Sequence, residues 1–547
     1  MMNNKKKIYV VRIVFAAAAL AVMGVIFFLS SQPGSNSDEL SISFTAMLFG
    51  KEWDAAMVLN VLIRKFAHIT EFAVLGVLVY GFFFTFPISL PLRAVLSFCL
   101  TAGYAVSDEI HQLFVEGRAC QISDMVIDSL GALLAVYVLN LIVKRWLRGK
   151  QKPAEDSSVC TGALLDAVCG FMNGSKSSAP GVNDGNFKEF MTLLREHKLV
   201  PVGFFSLADD AGISEADRAL MKNEAYAQIV VQENKNNEFL KAYKAMRQAG
   251  ARPVCLKGCI CASLWREPAL RISSDADILA EGEDFRLCQK ALEELGFTQT
   301  VVSSEEICYQ SSRSGCRIEL HNRPFPEDAP VSVCNAVVKD LCKNPDSVTV
   351  DGVEVLCPPV QEHLIYLVLH AFKHFIGAGV GIRQVMDISL FCAKEGIDWD
   401  TVFKKCASVS ADGFLSAVLL IGSEYFGLDI SGIQTPAFDR TLNCDIMLED
   451  LLQGGIYGSR DADKHHSSRI TVNSYSKSQN GKRAATVFLT LNQMKKRYAY
   501  LERHPYLLPL AWAQRGIYYL FSDHSVSDTL AAGKSRTRMM KYYGIIK

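Results

Sequence analysis

The chain has 547 residues, with 57 basic against 57 acidic side chains, 50% hydrophobic residues and 21% charged ones. At about 100–200 residues per domain that is several domains' worth of chain, and the composition excludes a disordered or collagen-like protein. The zero net charge leaves no electrostatic footprint for general nucleic-acid binding.

The first quarter reads as membrane-spanning. Residues 8–29 form an apolar run of about the ~20 residues a spanning helix needs. A cleaved signal peptide has an apolar core of only ~7–15 residues. Further apolar stretches follow at about 66–86, 90–113 and 125–143, which makes four spans. With the N-terminus inside, one side carries Lys5, Lys6, Lys7, Arg12, Arg93, Lys144, Arg145, Arg148, Lys150 and Lys152. The other carries only Lys51, Arg64, Lys65 and Arg118. That bias predicts a multi-pass protein of the cell membrane with both ends cytoplasmic. All but two of the 16 cysteines, Cys99 and Cys120, lie after residue 150 without a repeated CxxC pair, as expected of free thiols in a reducing compartment.

Polar residues within the spans fall on stripes. Lys65, His68 and Glu71 are spaced i, i+3, i+6; Asp108, His111 and Gln112 share a face beside Glu109; Asp124 and Asp128 are i, i+4. Under this topology they all sit toward the outer leaflet, and ionisable groups at that depth imply a shared polar or functional site. Arg64-Lys65-Phe66-Ala67-His68-Ile69-Thr70-Glu71-Phe72 and Tyr104-Ala105-Val106-Ser107-Asp108-Glu109-Ile110-His111-Gln112-Leu113-Phe114 resemble two signatures of VanZ-like membrane proteins. Ser30-Ser31-Gln32-Pro33-Gly34, Gly117-Arg118, Asp124, Asp128 and Gly131 continue the likeness over about residues 8–145. The resemblance implies a role at the cell envelope and, from the family's namesake, an association with low-level teicoplanin resistance. The residue chemistry leaves two readings open. One is a His/carboxylate metal site able to activate water; the other is a buried network in which Lys65 and Arg118 neutralise Asp108, Glu109 and Asp124.

Residues 151–159 read as a juxtamembrane linker and 160–250 as a helical region. At Arg252 the pattern changes to a short strand, the turn Leu256-Lys257-Gly258, a helix, and the segment Arg271-Ile272-Ser273-Ser274-Asp275-Ala276-Asp277-Ile278-Leu279. In a strand Asp275 and Asp277 share a face, and two such carboxylates call for a cation; Mg²⁺ is the hard ion that bridges to phosphates. A helix over 285–295 and a third strand over 315–321, carrying Glu319, complete the series. This order of parts resembles the DNA polymerase beta-like nucleotidyltransferase fold. The closest likeness is to an uncharacterised nucleotidyltransferase family with an LKG turn, a DxD strand and an acidic-x-His segment, here Glu319-Leu320-His321. It extends through Glu362-His363-Leu364, Leu369-His370-Ala371, Lys373-His374 and Arg383-Gln384-Val385-Met386-Asp387 to Arg497-Tyr498, Leu507-Leu508-Pro509, Trp512 and Arg515, over about 160–520.

The resemblance implies two metal ions, Mg²⁺ or Mn²⁺, held by Asp275, Asp277 and Glu319, with Glu319 positioning the acceptor nucleophile. Lys257, Gly258 and Ser274 would contact the NTP. The turn reads Lys257-Gly258-Cys259, where the wider superfamily has Gly-Gly or Gly-Ser. Lys257 is therefore either a phosphate ligand or a solvated lysine beside a turn. On helical spacing alone, Asp387 pairs with Arg383.

The architecture expected is a four-helix transmembrane module over 1–150, an α/β (α+β) catalytic core over 251–330, and a mostly helical region over 331–547. The function expected is a membrane-anchored, metal-dependent transfer of a nucleotidyl group to an unidentified small-molecule, envelope-precursor or protein acceptor. The alternative is a catalytically degenerate domain that binds nucleotide or a partner, coupled to envelope stress or glycopeptide tolerance.

Overall fold

A computed structural model describes residues 2–33, 56–148, 155–209, 211–303, 305–327, 330–377, 379–454, 471–472, 474–476, 478, 491–495, 497–521 and 526–546. The chain divides into two compact units, one of Met1–Lys152 with Val487–Val526, the other of Pro153–Thr486 with Ser527–Lys547.

The first unit is built on four helices, α1 (Met2–Ser30), α2 (Ala56–Phe84), α3 (Leu90–Gln112) and α4 (Ile122–Arg148). Each contains a stretch long and apolar enough to cross a bilayer. Their outward faces carry exposed Val10, Leu20, Phe28, Phe66, Phe114 and Leu134, an apolar surface that suits lipid and not water. Inside, Phe72, Leu75, Ala94, Ala105 and Val136 are buried. Buried Tyr80 donates to Asn140 Oδ1 at 3.0 Å, tying α2 to α4. The two helices touch most closely at Gly131, where a β-carbon would lie 2.5 Å from the carbonyl oxygen of Ile69. Residues of Val487–Val526, grouped by sequence with the C-terminal helices, belong to this unit. The helix Leu508–Phe521 lies against α3 and α4 with Ala511 fully buried.

The second unit opens with α5 (Glu155–Asn173), α6 (Phe187–His197), α7 (Val200–Ser206) and the long α8 (Glu215–Gln248). Ser214 starts α8 by accepting from the Asp217 amide, a local signal readable in the sequence. The sheet that follows contains β1 (Val254–Cys255), β2 (Ala276–Leu279), β3 (Thr298–Val302), β4 (Glu306–Gln310) and β5 (Arg317–His321) in the order β1-β2-β5-β4-β3. β2 and β5 are parallel and central, and the other pairings are antiparallel. Between β2 and β3 runs α9 (Gly282–Glu294), which ends at Leu295 before Gly296 with φ +83°. α8 covers the sheet with Phe239, Tyr243 and Met246.

β3 and β4 escape the sequence reading because β3 is exposed along its whole length and lacks the alternation that marks a half-buried strand. A second sheet pairs β6 (Asp346–Val350) with β7 (Val353–Cys357). Its turn, Asp351-Gly352, has both φ angles positive, the hairpin signature that Asp-Gly announces. Beyond it lie α10 (Val360–Ile376), α11 (Ile382–Cys392), α12 (Trp399–Ala407), α13 (Asp412–Phe426) and α14 (Asp445–Gly454). α10 is buried along most of its length, so its three histidines face protein on nearly every side.

Candidate active site

The site grows from the end of β1. Leu256 donates its amide to the Asp277 carbonyl at 2.9 Å, and His363 on α10 caps the same turn through a 2.7 Å contact with the Leu256 carbonyl. Burial draws the His363 pKa down to about 4, so its neutral ring donates there. Gly258 follows at φ +68°, a conformation that side chains rarely adopt. The chain thus reverses beside Ala276 of β2.

Asp277 and Glu319 are partners in the parallel β2–β5 ladder. As directly paired residues they share a sheet face. With His321 they form a group whose donor atoms all lie within 4.8 Å of one another. Two carboxylates and an imidazole are a donor set that fits a divalent ion. His321 carried no role in the sequence reading, although its i+2 spacing from Glu319 puts it on the same strand face.

Asp275 lies just before the strand, close enough for its charge to act on Glu319. Residues 271–275 are not strand, because Ser273 Oγ donates to the Asp275 carbonyl at 2.8 Å and Ser274 Oγ to Asp275 Oδ2 at 3.1 Å. These local bonds hold the segment in a turn. Asp275 also lines a cleft, together with Lys235, Phe239, Gly258, Ser274 and Arg317. Lys198, which sequence offered no means of finding, adds positive charge to this neighbourhood. Burial and then the Arg383 guanidinium lower its pKa to about 8, against the pull of Asp275.

Lys257 is not a solvated lysine. Its side chain is 14% exposed and its Nζ lies 3.0 Å from Asp277 Oδ2. The same ammonium is 2.9 Å from His370 Nε2, and His374 Nε2 approaches that His370 atom at 2.9 Å. The other oxygen of Asp277, Oδ1, lies 3.3 Å from His321 Nε2. Burial by itself would raise the Asp277 pKa; the Lys257 charge and the His321 hydrogen bond outweigh it and hold the carboxyl well below its ordinary range. Glu319 goes the other way, raised to about 7 by burial and then by the charges of Asp277 and Asp275. Neighbouring carboxylates pushed apart in this manner supply one charged anchor and one group able to exchange a proton near neutrality. His370 and His374 are held well below the usual imidazole range, first by burial and then by nearby positive charge.

Asp387 does not depend on its helical neighbour. Arg271 grips both of its oxygens, at 2.9 and 2.8 Å, and Trp265 Nε1 donates to it at 2.8 Å. Arg383 donates to the Ile272 carbonyl. Arg271 also reaches the Gly258 carbonyl at 3.2 Å, so this buried pair braces the turn that carries Lys257.

In the first unit, Lys65 pairs with Asp124 at 3.0 Å. Gln112 donates to Asp108 at 3.1 Å and to Glu109 at 3.3 Å, and the Gln121 amide donates to Glu109 at 3.0 Å. Arg118 donates to the carbonyls of Gln32 and Leu29. His111 stacks 4.4 Å from Phe27, and Glu71 lies in the field of Asp108 and Arg118. Asp128 is fully buried, with His68 Nδ1 at 3.9 Å and no hydrogen bond to either oxygen. The polar stripes therefore do converge: Lys65 links α2 to α4, the Gln121 amide ties Glu109 to the segment before α4, and the Gln112 bonds stay within α3.

Comparison with known proteins agrees with this division. Residues 15–143 match the VanZ/LLP1 family, and residues 183–427 match a family described as uncharacterised nucleotidyltransferase. The chain carries the two domains in that order, and the second match ends before the Arg497–Arg515 tail. No curated protein and no solved structure matches the chain.

Proposed function

We propose that the second unit is a metal-dependent nucleotidyltransferase anchored in the cell membrane by the VanZ-like helices. The observation that carries this reading is the Asp277–Glu319 pair on adjacent parallel strands beside the Gly258 turn; Gly258 and Asp275 also line a cleft that carries Lys235, Arg271 and Arg317. The NTP would lie in that cleft, its phosphates near Gly258 and Ser274 and drawn by Lys235 and Lys198. Asp277, Glu319 and His321 would hold a divalent ion, Mg²⁺ or Mn²⁺, with Asp275 as the further carboxylate on the cleft side. When bound, that ion supplies charge neutralisation for the phosphates.

The acceptor's hydroxyl or amine attacks the α-phosphorus and forms the new O–P or N–P bond. The bond from that phosphorus to the bridging oxygen breaks, and its electron pair leaves with pyrophosphate. Glu319, beside Asp277 on the β2–β5 ladder, would position the acceptor and take the proton it loses. Positioning and electrostatics supply most of the rate in such a site. The Lys/Arg distribution supports an orientation with the transferase in the cytoplasm. The acceptor class is a small molecule, an envelope precursor or a protein side chain.

The test is incubation of the full chain in detergent or nanodiscs with α-labelled NTPs, Mg²⁺ or Mn²⁺, and cell extract. Label is expected on an extract component, with a loss of at least about 100-fold in Asp277→Asn, the order seen on removing a charge-stabilising group. Failure of the wild-type chain to transfer any label while still binding nucleotide would favour the second reading, a degenerate binding domain. The saturation of Asp277 by Lys257 and His321 is the observation on that side.

A further inference from the structure

We infer that Lys257 is a resident counter-cation for Asp277, filling one of the two cation positions beside the acidic pair so that the site takes a single divalent ion. The inference rests on the nucleotidyltransferase reading but concerns how many ions that site accepts.

Asp277 is 2% exposed, and a carboxylate this deeply buried requires compensation. The compensation comes from within the chain. Lys257 Nζ meets Oδ2 at 3.0 Å while His321 Nε2 meets Oδ1 at 3.3 Å. The ammonium is itself held in place. It donates to His370 Nε2 at 2.9 Å, which leaves His370 Nδ1 to donate to the Tyr366 hydroxyl at 3.2 Å. That tautomer follows from the hydrogen-bond pattern. Tyr366 and His370 are both buried, so the Lys257 head group is seated between the Asp277 carboxylate and the His370 ring. A lysine that merely reached for phosphate would have no need of a buried histidine behind it.

Charge and space then argue against two ions. A second divalent ion held by Asp277 would have to share its carboxylate with the Lys257 ammonium, which already lies 3.0 Å from Oδ2. Asp277, Glu319 and His321 still offer ligand atoms within 4.8 Å of one another, and these residues would hold the single ion. The backbone supports the placement. Gly258 reverses the chain immediately after Lys257 at φ +68°, and Arg271 pins that turn through the Gly258 carbonyl. The turn delivers a positive charge to the acidic pair, where the wider superfamily has a small residue.

The measurement is Mn²⁺ binding by electron paramagnetic resonance on the full chain in nanodiscs, without and with a non-hydrolysable NTP analogue. Ions bound elsewhere are removed by subtracting the Asp277→Asn/Glu319→Gln double variant. One Mn²⁺ is expected at the site in the wild type and in Lys257→Arg. In Lys257→Met the count should rise to two, or the single ion should bind at least about tenfold tighter. A count of two in the wild type overturns the inference while leaving the transferase reading intact. That count needs no variant, so a misfolded Lys257→Met does not remove the test. An unchanged count and affinity in a folded Lys257→Met also overturns it. No Mn²⁺ in any form, with or without nucleotide, overturns the metal-dependent transferase reading itself.

Discussion

Glu319 and Asp277 sit side by side, yet their acidities diverge: Asp277 lies between Lys257 and His321, whereas Glu319, though Arg317 is 3.1 Å away, is dominated by burial and by the neighbouring carboxylates. The Glu319 pKa is raised to about 7 by burial and neighbouring carboxylates, against about 4.3 in an unfolded chain. Its protonated form therefore favours the folded state; this contribution is complete below about pH 4.3 and is lost as the pH rises through about 7. Metal-free Glu319→Gln is thus expected to melt higher than wild type at pH 8 and about equally at pH 4.5, as measured by thermal denaturation in chelator. A variant melting lower at pH 8 would mean that the carboxylate is compensated after all. The Arg271–Asp387 pair sets a second expectation at this scale. Both groups are buried and joined by two hydrogen bonds. Asp387→Ala should cost about 3–5 kcal/mol by leaving the Arg271 charge uncompensated, read from chemical denaturation followed by Trp265 fluorescence. A loss near zero would show that water replaces the carboxylate.

Helices and strands carry these residues by rules that differ in how local they are. Spans α1 to α4 are set by apolar length, and Ser214 and Gly296 mark helix ends through their own chemistry. The Asp351-Gly352 hairpin was equally readable, since both residues take the positive φ that this turn demands. The closeness of α2 and α4 is a different matter. At Gly131 an added β-carbon would meet the Ile69 carbonyl oxygen at 2.5 Å and the Ile69 Cα at 3.1 Å, and backbone atoms do not move aside cheaply. Gly131→Val should destabilise the first unit by about 1–3 kcal/mol, seen as a lower melting temperature in detergent. An unchanged melting temperature would show that the helices separate without cost. Sequence marks that glycine, but nothing local says which helix comes near it.

For the whole molecule, orientation and division of labour follow from charge and apolarity. If the Lys/Arg bias sets the topology, native Cys120, in the segment between α3 and α4, faces outward, while Cys169 on α5 faces the cytoplasm; both are half-buried. A membrane-impermeant maleimide added to intact cells is expected to label Cys120 and spare Cys169. Labelling of Cys169 alone would invert the topology.

The four spans, the carboxylates of the acidic strands and the order of the two domains are legible in the chain, because span length, strand periodicity and motif order are local properties. Asp275 departs from that reading by one residue: β2 begins at Ala276, and the Ser273 and Ser274 hydroxyls bond to Asp275 just before it. Other features required tertiary structure. Lys257 meets His370 across 113 residues, and Arg271 meets Asp387 across 116. Such pairs are chosen by which buried charges the fold brings together. Whether Lys257 is solvated, bound to phosphate or committed to Asp277 is decided by burial and by the groups around it, and no spacing in the sequence encodes those.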